Sequence, residues 1–209
     1  MGKLYDHIDE RLARWIEAQP LFFVGTAPSG DDGHVNVSPK GGADLFKVTG
    51  PHGFAYVDLF GSGIETVAHL RENGRIVILL AAFDGPPKIV RLHGRGAVRR
   101  PEESGFAEAL AAFTLDERRA RAVRSVIEVD VTRVSDSCGF VVPRMELVEE
   151  RSQLFDFADA RIGRDGPEAI TKYVEVNNRH SIDGIAGLDA PVTVGEEQAR
   201  RLDHRGRKL

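Results

Sequence analysis

The chain lacks what a stapled, membrane-spanning or metal-holding protein is built from. Cys138 is its only cysteine, so no intrachain disulfide can form, and a reducing cytoplasm suits it. No stretch approaches the roughly 20 apolar residues of a membrane span. The longest apolar run, IVILLAAF, has the length of a buried strand. The opening MGKLYDHIDERLARWIEAQ carries charge throughout, with no apolar centre of a secretory leader. The seven histidines are scattered singly, with no second histidine or cysteine at a ligand spacing, so no metal site is expected. A formal charge of −4 argues against a nucleic-acid protein. A Walker loop is missing, and Ser62 lacks the flanks of a nucleophile elbow.

What is present is a globular composition, 42% apolar over 209 residues, enough for one domain or for one domain with a sizeable appendage. Leu4, Ile8, Leu12 and Trp15 recur at helical spacing, which predicts a helix over 4–18. Strands are expected at LFFVGTA, HVNVS, LFKVT, FAYVDLF, RIVILLAAF, KIVRLHGRGAVR and VIEVDVTRV. Gly94 and Gly96 inside the long KIVRLHGRGAVR run suggest a bulge or sharp bend. Helices are expected at 63–73, about 101–113, along LDERRARAV, and from Pro167 to about Asn177. The last twenty residues read as a polar, loosely held tail. Strands joined mostly by tight turns do not make a doubly wound pattern. The expected fold is mainly β (α+β): a small split antiparallel β-barrel with flanking helices, over 1–150. Residues 151–209 form a helical extension and tail of the same domain.

Three motifs carry candidate chemistry. In FAYVDLFGSGIET a strand bearing Asp58 turns through Gly61, Ser62 and Gly63 into a helix. The first amides of a helix lack intrahelical partners, and with the helix dipole they favour a phosphate. Ser62 and Thr66 offer hydroxyls there. The same residues equally fit a plain capping box, Ser62 at the N-cap and Glu65 three residues on. Gly61-x-Gly63-x-x-Thr66 is also a near-miss of the dinucleotide fingerprint, which would make the chain an NAD-dependent enzyme. The third glycine is missing and the flanking strands look like hairpins.

In HVNVSPKGG, alternation puts His34, Asn36 and Ser38 on one face and Val35 and Val37 on the other. The valines are expected to face the core and the polar trio solvent or a ligand. Pro39 is expected to end pairing, leaving Lys40 on a mobile cationic loop with Gly41 and Gly42. In DGPPKIVRLHGRG, Arg91 among apolar neighbours calls for an anionic partner, a carboxylate or a phosphate.

Taken in order, VNVSPKG, DLFGSG, the helix ETVAHLRENGR, a buried strand and FDGPP…RLHGRG resemble the pyridoxamine 5′-phosphate oxidase-like flavoproteins, over roughly residues 20–100. The resemblance implies an FMN-binding split β-barrel, usually a homodimer with FMN in a groove between subunits. Asn36, Val37 and Ser38 would run along the flavin, and Lys40 would reach a phosphate or substrate anion. The corner from Asp58 through Ser62 and Gly63 to Thr66 would hold the phosphate. Lys88 and Arg91 would lie on the next contacting strand. Where the family's oxidase has a basic residue after the corner serine, this chain has Gly63 and Ile64. The oxidase's carboxy-terminal tryptophan and arginine pattern is missing as well. The implied function is FMN-dependent oxidoreduction of a small substrate in the cytoplasm, with no catalytic residue assigned. Two alternatives stand beside it: a non-enzymatic flavin, deazaflavin or haem carrier, and the NAD-dependent enzyme.

Overall fold

The computed structural model describes residues 2–42 and 44–188. The expected tail, with Pro191 and Gly195, lies outside the described residues. Eight strands form one sheet: β1 (Leu4–Tyr5), β2 (Leu21–Thr26), β3 (Asn36–Gly41), β4 (Phe46–Gly50), β5 (Gly53–Leu59), β6 (Arg75–Ala81), β7 (Ile89–Arg99) and β8 (Val123–Ser137). Their order is β3-β2-β6-β7-β8-β5-β4, with β1 paired to β8. Every pairing among these strands is antiparallel. The sheet curls into a split barrel. It contains no parallel β-α-β unit, which removes the dinucleotide-binding fold suggested by the glycine corner.

Alternation along the strands builds the interior. Phe22, Val24 and Thr26 of β2 point inward, as do Ile76, Ile78 and Leu80 of β6. Phe22, Phe46, Phe54 and Tyr56 cluster with ring centroids 4.8 to 6.5 Å apart. The bend expected from the glycines of β7 is present, because the register against β8 shifts between His93 and Gly94.

The helix expected over 4–18 is shorter. Leu4 and Tyr5 pair with Ser135 and Val134, and Asp9 caps α1 (Glu10–Glu17) by accepting from Leu12 N at 2.7 Å. The carboxylate cap sets the helix start, and the open edge of β8 claims the residues before it. Helix α2 (Glu65–Asn73) connects β5 to β6 and ends at Gly74, whose φ of 68° is left-handed and favours glycine. Two short helices, α3 (Phe106–Ala111) and α4 (Glu117–Arg121), precede β8.

The extension supplies α5 (Gln153–Asp165), which the sequence reading missed, and α6 (Ala169–Asn177). These two helices bury Ala158 and Ile170 against Phe60 and Ala122, beside the corner where β5 ends. The family of contacts around Phe60 therefore ties the extension to the same end of the barrel as the candidate site. No helix among the described residues is long and apolar enough to cross a membrane.

Candidate functional site

Register decides which face of β3 looks inward. Thr26 stands opposite Asn36, Val24 opposite Ser38 and Phe22 opposite Lys40. Directly opposed residues share a face, so the inward face of β2 brings Asn36, Ser38 and Lys40 with it. The expectation for the valines is thus reversed: Val35 and Val37 point outward, 72% and 64% exposed. Polar residues are tolerated inside because each finds a partner. Pro39 does not end pairing. It stands opposite Phe23 on an edge strand, where a missing N–H is harmless. Lys40 accordingly sits in a strand rather than on a loop.

Two polar groupings meet here. In the first, Asn36 Nδ2 donates to Thr26 Oγ1 at 3.1 Å and to Thr66 Oγ1 at 3.0 Å, while Ser38 Oγ donates to Asn36 Oδ1 at 3.0 Å. Thr26 Oγ1 lies 3.0 Å from Nδ1 of His69, a fully buried ring on α2. Burial pushes the His69 pKa down, outweighing the opposing pull of Asp183, Glu65 and Glu72. Burial thus favours the neutral form of the ring.

The second grouping centres on Asp58, buried on β5. Lys40 Nζ lies 3.1 Å from Oδ1, Arg124 Nε 2.8 Å from Oδ2, and Ser125 Oγ donates to Oδ2 at 3.1 Å. Burial alone would raise the Asp58 carboxyl, but the Arg124 and Lys40 charges outweigh it and hold the group well below the usual carboxylate range. Arg124 Nη1 also donates to Gly63 O at 2.8 Å and to Asn178 Oδ1 at 2.9 Å. Asn178 Nδ2 donates to Gly61 O at 2.9 Å.

A cavity of about 380 Å³ lies beside these groupings, lined by the polar residues Ser38, Lys40, Glu65, Thr66 and Arg124, by Gly61 and Gly63, and by the apolar residues Phe22, Leu45, Val57, Phe60 and Leu154. Its size is in the range of a small-molecule site, apolar with a few convergent polar groups. The corner departs from the capping box. The N-cap of α2 is Ile64 with no side-chain bond, and Ser62 is exposed. Glu65 instead accepts from Ile182 N at 3.2 Å and lies over Gly63, where a β-carbon would stand 2.6 Å from its Oε2.

Residues 8–138 match the family model described as pyridoxamine 5′-phosphate oxidase. The chain belongs to that family. It is similar to the pyridoxamine 5′-phosphate oxidase family protein ustO of Aspergillus flavus, 38% identical over 204 residues, covering 90% of this chain and 78% of that protein. Among solved structures it is similar to a Clostridium acetobutylicum protein related to general stress protein 26, at 16% identity and a TM-score of 0.47, covering 63% of this chain and 91% of that one. An FMN-binding protein from Syntrophomonas wolfei aligns at 15% identity and a TM-score of 0.44, covering 59% and 80%.

Within the family's span, the structure brings Asn36, Ser38, Lys40, Asp58, Gly63 and Thr66 to one place. Val37 turns its side chain away, and Ser62 faces solvent. Lys88 and Arg91 lie elsewhere in the same chain. Lys88 Nζ sits over the Trp15 ring at 4.8 Å and the Tyr5 ring at 5.7 Å. Arg91 Nη1 donates to Ser137 Oγ at 3.0 Å. On β8, Arg91 registers at Ser135 and Asp58 at Ser125, roughly 30 Å apart along the strand.

Arg124 and Asn178 escaped the sequence reading. The signal for Arg124 existed: a guanidinium beside the apolar run Val126-Ile127 needs an anion, the same logic applied to Arg91. For Asn178, in NNRH after α6, no local pattern points to a contact across the chain.

Proposed function

We propose that this member of the family binds FMN in the cavity beside Asp58 and works as a flavin-dependent oxidoreductase on a small substrate. The observation that carries the reading is the convergence of two cations of the cavity wall, Lys40 and Arg124, on one buried carboxylate, Asp58. Glu65, the carboxylate of the lining, accepts from Ile182 N, so the N–H donors of Lys40 and Arg124, which share the single carboxylate of Asp58, favour an anionic group such as the FMN phosphate. The residues fit the group in three further respects. Ser38 and Thr66 bring hydroxyls to the lining, Phe22, Leu45, Val57, Phe60 and Leu154 make part of it apolar and aromatic, and Gly61 leaves open space where a β-carbon would stand. Glu65 covers the start of α2, so Lys40 and Arg124, rather than the helix amides, would seat the phosphate.

Bound flavin supplies hydride or electron chemistry. The chain's own residues would do the rest: Lys40 and Arg124 balance charge, Asn36 fixes the rotamers of Ser38 and Thr66, and Phe22, Leu45 and Phe60 exclude water. A flavin suits the lining better than haem, because no His, Cys, Met or Tyr among the described residues bounds the cavity as an axial ligand.

The reading includes a homodimer whose second copy covers Val35 and Val37 on the open side of edge strand β3, and a cytoplasmic setting that suits the exposed thiol of Cys138. The test is release of the cofactor from purified protein by denaturation, with identification by mass spectrometry and light scattering for mass. Released FMN and a dimer are expected. Haem or NAD in its place, or failure of the purified protein to take up added FMN, refutes the assignment.

A further inference from the structure

The residue that holds the corner comes from outside the family's span. Asn178 follows α6, forty residues beyond the end of the family match at 138, and is fully buried. Its amide spends both ends on the site: Oδ1 accepts from Arg124 Nη1, and Nδ2 donates to Gly61 O. Arg124 in turn donates to Gly63 O. The two glycine carbonyls that flank Ser62 are thereby fixed by one asparagine and the arginine it orients. Glycines on either side of an exposed serine leave this corner conformationally permissive, so these tethers decide its shape.

The segment that carries Asn178 is itself anchored. Leu188 N donates to Asn178 O at 3.0 Å and Gly187 N to Arg179 O at 2.7 Å, while the Leu188 side chain packs on the barrel core. Arg71 donates to Gly187 O. A β-carbon on Gly187 would stand 2.5 Å from Asn178 O and 2.6 Å from Ile64 Cγ1, so the backbone lies directly on the first residue before α2. Asp183 accepts from His34 N at 2.8 Å and lies 2.6 Å from His34 Nδ1, just before β3. Residues 178–188 thus form a strap joined to both halves of the site: the corner and the start of the strand that carries Asn36, Ser38 and Lys40.

We infer that Asn178 is a positioning residue for the anion seat, through which the strap holds Arg124 and the Gly61–Gly63 corner in the ligand-binding arrangement. The inference rests on the anion-seat reading of the cavity. It assigns the strap a selective effect, on the phosphate end of the ligand rather than on its ring.

The test compares wild type, Asn178→Ala and Asn178→Asp in the full chain, titrated with FMN and with riboflavin and followed by flavin fluorescence. Hydrogen exchange over residues 59–66 is measured on the same proteins without ligand. Asn178→Ala is expected to weaken FMN about tenfold and riboflavin less than about threefold, and to speed exchange at the corner. Asn178→Asp keeps the shape and the acceptor for Arg124, loses the donor to Gly61 O and sets a second carboxylate on Arg124. Its FMN loss therefore combines charge with position, and its faster exchange at the corner is the readout of the lost tether even if the alanine variant folds poorly. A merely structural role would lower both affinities together, and an unchanged FMN-to-riboflavin ratio overturns the inference. Wild-type protein that binds neither flavin overturns the anion-seat reading instead. The exchange data then still decide whether Asn178 holds the corner, since exchange unchanged in both variants refutes it.

Discussion

Arg124 Nε lies 2.8 Å from Asp58 Oδ2, with the two side chains only 4% and 1% exposed. The strands that carry them are neighbours, with Asp58 registered at Ser125, so the pair is set by the sheet and not by a flexible loop. A buried pair of this kind is a modest source of stability while intact and a large cost when halved, because the survivor is an uncompensated charge. Asp58→Asn should therefore destabilise the protein by about 3–5 kcal/mol, read as a lower urea midpoint with an unchanged slope. Lys40→Met should cost only about 1 kcal/mol, since Lys40 is partly exposed and Arg124 still neutralises the carboxylate. Equal losses in the two variants would contradict the assignment of Arg124 as the principal partner.

The same pair predicts an acid limb. Burial works to raise the Asp58 carboxyl, and Arg124 with Lys40 overcomes it, so the folded pKa lies below the unfolded one. Such a group stabilises fully above its unfolded value, near 4, and loses that contribution as pH falls through its folded value. Wild-type stability should drop steeply below about pH 4, and Asp58→Asn should show a shallower drop. Parallel acid limbs in guanidinium titrations would mean that Asp58 is not the group responsible.

A second pH window belongs to His69. Burial lowers its pKa in the folded state, so the unfolded chain binds the proton more readily. Stability is then complete above the unfolded value of about 6.5 and declines as pH falls below it. His69→Gln should flatten thermal stability between about pH 6.5 and 5, although not wholly, because burial lowers His93 as well. A wild-type midpoint that does not change across this window would show that the ring stays solvated.

Much of this arrangement was legible in the residues. Alternation marked the strands, Gly94 marked the bulge, and tight turns between strands marked an antiparallel barrel. The polar residues Asn36, Ser38 and Lys40 stood out with Asp58 and Thr66. What alternation alone did not decide is which face of β3 turns inward. That depends on register against β2, a pairing made across a loop, and the usual preference for buried valine pointed the wrong way. Arg124 was hidden at a junction between a helical piece and a strand, and Asn178 acts across more than a hundred residues of chain. Both owe their roles to tertiary partners, which local periodicity does not encode.

The polar ladder above the cavity is also testable as a unit. Asn36 makes three side-chain hydrogen bonds, to Thr26, Thr66 and Ser38, and its removal leaves two buried threonines short of a donor. Asn36→Ala should cost about 1–3 kcal/mol. In a double-mutant cycle with Ser38→Ala the two effects should be non-additive, because the Ser38 bond is already lost once Asn36 is gone. Additive losses would show that the ladder bonds are not formed in solution.

Gly94 offers a test of the barrel itself. At the bulge between His93 and Gly94, β7 comes so close to β8 that a β-carbon on Gly94 would stand 2.1 Å from Asp130 O and 2.9 Å from its carbonyl carbon. The obstacle is backbone, so no change of rotamer relieves it, and the strands must separate where β8 bonds to β7. Gly94→Ala should therefore cost about 3 kcal/mol or more and lower the yield of folded protein. Gly30 is the control: it has no heavy atom within 4 Å of its would-be β-carbon and no left-handed φ, so Gly30→Ala should fall within about 0.5 kcal/mol of wild type. If the two variants melted alike, the close approach at the bulge would be wrong, and with it the bend that lets β7 and β8 curl the sheet around the site.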